Sequence, residues 1–267
     1  MEPMTTIALR AARKAGDLIV RASDELDRVG YQAKGAADFV SEVDIASEKE
    51  ILYHLTKAYP DHAFLCEESG LTGNTDAEYT WVIDPLDGTS NFLRGIPHYC
   101  ISIGCMKNGR LEHAVVLDPV RREEFTAARG CGAQLNGHRL RVSNRTELKH
   151  SLLGTGVPYL GNHADKAEAY ATSMAALSAQ SMGIRRMGAA ALDLAYVAAG
   201  RLDVFWEIGL KPWDMAAGAL LIREAGGLIA DFQGGEQYME SGNIVCGAPK
   251  LFKQVLQAVA PVVKSTH

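Results

Sequence analysis

The chain has 267 residues, 47% of them hydrophobic and 22% charged, with a formal net charge of −5. That length and apolar share suffice to bury a full core as one large domain or two subdomains, and the acidic balance excludes a general nucleic-acid-binding surface. The five cysteines (Cys66, Cys100, Cys105, Cys131, Cys246) are odd in number, scattered and without CxxC spacing, which argues against a disulfide framework or thiolate zinc site and for a reducing compartment.

The stretch from Met1 to Ala22 is amphipathic and carries Arg10, Arg13, Lys14 and Asp17 through its length. It lacks the apolar run of a signal peptide or membrane span, so a cytoplasmic location and no membrane partner are expected. Pro3 suits a first helical turn, and Ile7, Ala11, Ala15, Leu18, Ile19 and Ala22 recur at helical spacing, predicting a helix from 3 to about 27 that Gly30 ends. Asp44 is expected to precede a second helix, with Ile51, Leu52, Leu55 and Ala58 on one face and Pro60 as its stop. Short β-type runs follow at Ala63–Cys66, Trp81–Ile83, Cys100–Met106, Ala114–Leu117 and Glu124–Ala128. Lys107-Asn108-Gly109-Arg110 and Asn136-Gly137 read as hairpin turns, so this first sheet is predicted to be largely antiparallel.

From about residue 150 strands and helices alternate. Strands are predicted at Ser151–Gly154, Leu202–Trp206, Leu228–Asp231 and Ile244–Cys246. Helices are predicted at Asp165–Ala179, Ala189–Ala199, 213–225 and Pro249–Val259. The reading is an N-terminal α+β half, 1–148, and a C-terminal α/β half, 149–267, in one continuous body without a Pro/Ser-rich linker.

Chemistry-bearing residues concentrate at element ends. Asp84-Pro85-Leu86-Asp87-Gly88-Thr89-Ser90-Asn91-Phe92 ends the apolar run Trp81-Val82-Ile83, Glu67-Glu68 follows another apolar run, and Trp213-Asp214 opens an Ala-rich helix. Asp84 and Asp214 come from different halves, so the site belongs in their seam. Glu67, Asp84, Asp87 and Asp214 offer only oxygen donors, which favours Mg²⁺ over zinc. Pro85 removes a backbone donor and stiffens the chain, which aims both aspartates inward and presents the Leu86 carbonyl as a further ligand. Gly88-Thr89-Ser90 begins a helical turn whose N–H groups suit a phosphate. Each motif alone has a plainer reading: a β-turn for DPLDG, an acid opposing a helix dipole for Asp214, a solvated strand end for Glu67-Glu68. Their joint occurrence favours a site for phosphomonoester hydrolysis by activated water.

The ordered set Asp44, Glu67-Glu68, DPLDGTSNF at 84–92 and PWDMAAG at 212–218 resembles the inositol monophosphatase family, within the lithium-sensitive, magnesium-dependent phosphatases that include fructose-1,6-bisphosphatases. AARKAG at 11–16, AALDLAYVAAGRLD at 190–203, EIGLKPWD at 207–214 and REAGG at 223–227 are similar to its bacterial SuhB-type branch. The resemblance implies a layered αβαβα sandwich, usually a homodimer. It further implies that Glu67, Asp84 and the Leu86 carbonyl hold one Mg²⁺, that Asp84, Asp87 and Asp214 hold a second, and that Glu67 reaches a weaker third. Thr89 and Asp44 match the pair that polarises the attacking water, with Glu67 beside them in the catalytic set. The Gly88 and Thr89 amides match the phosphate cradle; Gly188, Ala189 and Glu207 match contacts to polyol hydroxyls, Glu207 alone also reading as a solvated strand-end acid. Ser90 and Ala189 depart from threonines seen in relatives.

The implied activity is hydrolysis of myo-inositol monophosphate and similar polyol phosphates. Fructose-1,6-bisphosphate, histidinol phosphate and nucleotide 3′-phosphates stand as alternative substrates. A second role, as an accessory factor of ribosomal-RNA transcription antitermination bound to transcription proteins, belongs to the SuhB-type resemblance. Cys66 reads as a small buried residue, His98 as a packing or loop histidine, and the pairs Arg121-Arg122 and Arg185-Arg186 as solvated or dimer-facing surface.

Overall fold

A computed structural model describes residues 1–35, 38–158 and 163–264. Pro3 opens α1 (Pro3–Ser23), whose stripe of Ala8, Leu9, Ala11, Ala12, Ala15 and Ile19 is buried. The helix stops short of the predicted end because its last turn tightens into a 3-10 segment at Leu26–Arg28. β1 (Tyr31–Gly35) and β2 (Asp38–Ser41) pair antiparallel and lead into α2 (Glu42–Ala58). Ser41 is the N-cap, its Oγ accepting from the Val43 and Asp44 amides, so Asp44 lies inside the helix and not before it as the sequence suggested.

A large sheet follows from β3 (Ala63–Cys66), β4 (Gly70–Gly73), β5 (Tyr79–Asp87), then α3 (Thr89–Leu93), β6 (Cys100–Lys107), β7 (Arg110–Asp118), β8 (Glu123–Ala128), β9 (Gly132–Leu135) and β10 (His138–Arg139). Among the described residues its order is β10-β9-β8-β7-β6-β5-β3-β4, antiparallel throughout except for the parallel pair β3–β5. The β6–β7 and β9–β10 turns place Asn108-Gly109 and Asn136-Gly137 at positive φ, as two-residue hairpins require.

The smaller sheet is built from β11 (Leu152–Thr155), α4 (Ala167–Ser178), β12 (Gly183–Arg185), α5 (Ala190–Ala198), β13 (Val204–Glu207), α6 (Pro212–Glu224), β14 (Leu228–Ala230), α7 (Tyr238–Ser241), β15 (Ile244–Gly247) and α8 (Pro249–Lys264). Its order is β12-β11-β13-β15-β14, with β11 parallel to both neighbours and β15 antiparallel to both of its own.

Burial follows from which faces are apolar. α1 and α2 cover one face of the large sheet, α5 and α6 fill the space between the sheets, and α4 with α8 cover the outer face of the smaller one. The result is a layered αβαβα sandwich. α5 and α6 are Ala-rich and apolar on nearly every side because they meet a sheet on each face. Gly104 on β6 lets α6 come close: a Cβ there would stand 2.7 Å from the Cβ of Ala216.

Candidate active site

Asp84 and Asp87 are three residues apart, and in a regular strand they would point to opposite faces. The strand does not stop before them as the sequence suggested; β5 runs on through Asp87, and its register with β6 slips between the two. Asp84 pairs with Ser102 and Asp87 with Cys100, so one extra residue on β5 forms a bulge that returns both carboxylates to one face. Pro85, with no N–H to give the ladder, suits that break. Asp84 Oδ1 accepts from the Leu86 amide at 3.0 Å. Gly88 then takes φ +94 at the start of α3, where a Cβ would lie 3.0 Å from the His98 carbonyl. Only glycine fits both demands.

α2 supplies the opposite wall. Asp44, Ser47 and Glu48 share one face at i, i+3 and i+4 spacing and are buried. Asp44 Oδ1 accepts from the Thr89 hydroxyl at 2.7 Å, and its Oδ2 from the Ser41 amide at 2.9 Å and the Ser41 hydroxyl. The Thr89 hydroxyl also stands 3.0 Å from the Leu86 carbonyl. Ser47 Oγ donates to the Pro85 carbonyl at 2.8 Å. Glu67 begins the turn after β3, its amide bonded to the Ile83 carbonyl at 3.1 Å.

The layer between the sheets closes the site. Ser102, the register partner of Asp84, donates from Oγ to the Trp213 carbonyl at 3.0 Å, which sets the first turn of α6 and its Asp214 beside Asp84. Asp214 Oδ2 accepts from the Lys211 amide at 2.7 Å. Asp87 Oδ2 accepts from the Ala191 amide at 2.7 Å, one of the N–H groups that the first turn of α5 leaves without a helical partner. Asn91 Nδ2 donates to the His98 and Met187 carbonyls, each at 2.8 Å, and ties the DPLDGTSNF segment to the Gly188-Ala189 turn. Ala189 is buried, 3.1 Å from where a Gly88 Cβ would be. At the end of β13, the Glu207 carboxylate fills the space left by Gly156, where a Cβ would fall 1.7 Å from Oε1.

These acids feel one another. Burial, reinforced by Glu67, Asp87 and Asp214, pushes the Asp84 carboxyl well above its ordinary range. Asp87 is raised by burial and by Asp193 to about 6, against the pull of the Ala191 amide and His98. Asp214 is raised by burial and then by Asp87, with Glu67 adding. Glu207 is raised by burial, then by Asp193 and Asp214, with Arg186 opposing. Burial also raises Asp44, against its bonds to Ser41 and Thr89. Among the described residues no three Asp, Glu, His or Cys side chains close on a single point. With Asp84 fully buried and Glu67, Asp87 and Asp214 half-buried around it, the acids form a mutually repelling, oxygen-only set, and such a set fits hard divalent cations whose charge would relieve the repulsion.

The sequence model of the inositol monophosphatase family matches residues 1–264. The chain belongs to the inositol monophosphatase family. Nus factor SuhB of Pseudomonas aeruginosa is 57% identical over 98% of this chain and 97% of its own length, and Nus factor SuhB of Escherichia coli K12 is 52% identical over 96% and 95%. Among solved structures, the extragenic suppressor protein suhB from Bartonella henselae superposes with TM-score 0.93 at 41% identity, covering 97% of this chain and 98% of that one. An IMPase from Thermotoga maritima superposes with TM-score 0.88 at 32% identity, covering 98% and 99%.

In this family member the residues singled out from the sequence meet around one seam: Asp44, Glu67, Asp84, Leu86, Asp87, Gly88, Thr89, Gly188, Ala189, Glu207 and Asp214. Cys66 is fully buried, its thiol pushed up to about 12 by burial. His98, read from the sequence as a packing or loop histidine, is buried, with Nε2 3.2 Å from Asp193 Oδ1. Arg121 is spent on Asp118 and the Pro97 carbonyl. Arg186 is exposed, as its surface reading expects, and its guanidinium also lies across Gly188, with Nη1 2.7 Å from where a Cβ there would be. Glu48, Asn91 and Asp193 were not assigned roles from sequence. Asn91 sits inside the quoted motif, and Glu48 continues the Asp44–Ile51–Leu55 face, which is the signal that would have found them.

Proposed function

We propose that this protein is a Mg²⁺-dependent phosphomonoesterase that hydrolyses myo-inositol monophosphate and similar small polyol phosphates by attack of water, without a covalent enzyme intermediate. The observation that carries the reading is the Thr89 hydroxyl bonded to buried Asp44 at the edge of the mutually repelling carboxylates Asp84, Asp87 and Asp214. Two or three Mg²⁺ ions, held by Glu67, Asp84, the Leu86 carbonyl, Asp87 and Asp214, would supply Lewis-acid activation of the water and neutralise the phosphate. Thr89 accepts a hydrogen bond from the attacking water while donating to Asp44, so the water's proton has a path through the hydroxyl to a carboxylate whose burial makes it more basic. The Gly88 and Thr89 amides, opening α3, hold phosphate oxygens. Glu207 accepts hydroxyl hydrogen bonds from the polyol, beside the Gly188-Ala189 turn.

The test is a panel of phosphomonoesters with Mg²⁺ that contains inositol 1-phosphate, fructose 1,6-bisphosphate, histidinol phosphate and a nucleotide 3′-phosphate, run on the wild type and on Asp84→Asn. Turnover strongest on inositol 1-phosphate, and abolished in a folded Asp84→Asn protein, is expected. Near-normal activity of that variant at saturating Mg²⁺, or no hydrolysis by the wild type, refutes the reading.

The name Nus factor SuhB carried by relatives more than half identical to the chain favours a second, compatible reading. On it, the protein also serves ribosomal-RNA transcription antitermination by binding transcription proteins. Capture of those proteins from extract by folded, inactive Asp84→Asn supports this role, and failure of both forms to capture them removes it. A cytoplasmic homodimer accompanies both readings, checked by fractionation and light scattering. No helix among the described residues is long and apolar enough to cross a membrane.

A further inference from the structure

The turn that carries Glu67 is held by one buried acid beside its own bond to the Ile83 carbonyl. Glu48 is 4% exposed, and its two carboxylate oxygens accept from consecutive backbone amides, Oε2 from Glu68 at 2.9 Å and Oε1 from Ser69 at 3.0 Å. Both amides lie just past the end of β3, where the ladder no longer uses them. Charge-assisted bonds of this kind are stronger than neutral ones, and here two converge on one carboxylate. The same helix face holds the other site segments, through Asp44 to Thr89 and through Ser47 to the Pro85 carbonyl. α2 is thus a bar from which two segments of the site hang, residues 84–92 through Asp44 and Ser47 and the Glu67 turn through Glu48.

We infer that Glu48 is a positioning residue: by clasping the Glu68 and Ser69 amides it presents Glu67 to the carboxylate cluster and thereby sets the affinity of the site for Mg²⁺. It touches neither substrate nor ion. Its charge has a second effect, a diffuse attraction for cations, and geometry separates the two. Glu48→Asp keeps the charge but withdraws the carboxylate by one methylene, beyond reach of both amides. Glu48→Gln keeps the length but loses the charge and turns an NH₂ group against one amide. Positioning predicts that both variants lose affinity, whereas a purely electrostatic role predicts loss in the Gln variant alone.

The inference rests on the Mg²⁺-binding reading, so the first readout is calorimetric Mg²⁺ titration of the full-length protein, independent of turnover. Both variants are expected to bind Mg²⁺ roughly 10-fold or more weakly, the scale of lost outer-shell partners. In metal-free protein, hydrogen exchange at the Glu68 and Ser69 amides should quicken in both, while the thermal midpoint of each variant reports that the core is intact. In phosphatase assays the Mg²⁺ half-saturation should rise with kcat at saturating Mg²⁺ far less affected. Unchanged Mg²⁺ affinity in Glu48→Asp, or unchanged exchange at the two amides in both variants, overturns the positioning role. Wild-type protein that binds no Mg²⁺ overturns it together with the metal reading. Mg²⁺ binding without hydrolysis of any phosphomonoester removes the catalytic reading alone.

Discussion

Asp87→Asn should make the metal-free protein more stable and the Mg²⁺-loaded protein less so. In the folded chain the Asp87 carboxyl is raised from 3.8 to about 6, and at about 1.4 kcal/mol per pH unit this corresponds to about 3 kcal/mol. The sign follows from linkage. A carboxyl whose folded value lies above its unfolded value binds protons more tightly when folded, so its contribution favours folding at low pH and is lost as pH rises through about 6. At pH 8 the ionised group therefore burdens the fold by the full amount, and a neutral amide of the same shape removes the burden. Below pH 4 both forms are neutral and the difference vanishes. For a chain of this size about 3 kcal/mol corresponds to a rise in Tm of roughly 6 °C. The assay is thermal and urea unfolding of both proteins in EDTA at pH 4 and pH 8, repeated at pH 8 with saturating Mg²⁺. There the wild type should gain from bound ions and the variant much less. A variant no more stable than the wild type in EDTA at pH 8, a gain of equal size at pH 4, or equal stabilisation of both by Mg²⁺ would refute the argument.

Thr89→Ala deletes the hydroxyl that bonds Asp44 and leaves the backbone amides, so kcat should fall by roughly 10² or more with calorimetric Mg²⁺ affinity retained; parallel loss of Mg²⁺ binding would make Thr89 structural. Glu207→Gln should raise KM for inositol 1-phosphate by roughly 10-fold or more, the value of a hydrogen bond to a charged acceptor, and leave a small aryl phosphate nearly unaffected. Gly156→Ala should reproduce that split, because its Cβ would stand 1.7 Å from Glu207 Oε1 and must expel the carboxylate; equal loss on both substrates would instead place Glu207 in the metal network. Under native conditions a thiol reagent should label exposed Cys131 quickly and Cys66, buried and pushed up to about 12, only slowly; labelling of both at one rate, read by mass spectrometry, would show that the strand before Glu67 opens readily.

Much of this site was legible because the residues that carry chemistry also break element patterns: acids at strand ends, a proline inside a strand, a glycine ahead of a hydroxyl. Helical spacing of apolar residues likewise revealed α1 and α2. What escaped had no local signature. The bulge at Pro85-Leu86 shows itself only when Asp84 and Asp87 are paired with Ser102 and Cys100 on β6. Glu48 bonds backbone amides of residues twenty and more positions away, and an amide partner leaves no mark on side-chain spacing. His98 and Asp193 satisfy each other across 95 positions. β4, β10 and β12 are too short to alternate visibly, and exist because a neighbouring strand offers an edge.

The helices α5 and α6 belong to neither sheet. They roof the large sheet, burying Val82, Val116 and Phe125, and floor the small one, burying Phe205, Ile244 and Cys246 in the same cluster. A chain cut near residue 148 would leave each fragment with a bare apolar face. Seated against Gly104, α6 holds Asp214 to the large sheet in advance, so on the proposed reading the loading of ions and substrate would need no closing of one body onto another. The conformational cost of the proposed loading would then fall on side chains and on the short turn that Glu48 clasps.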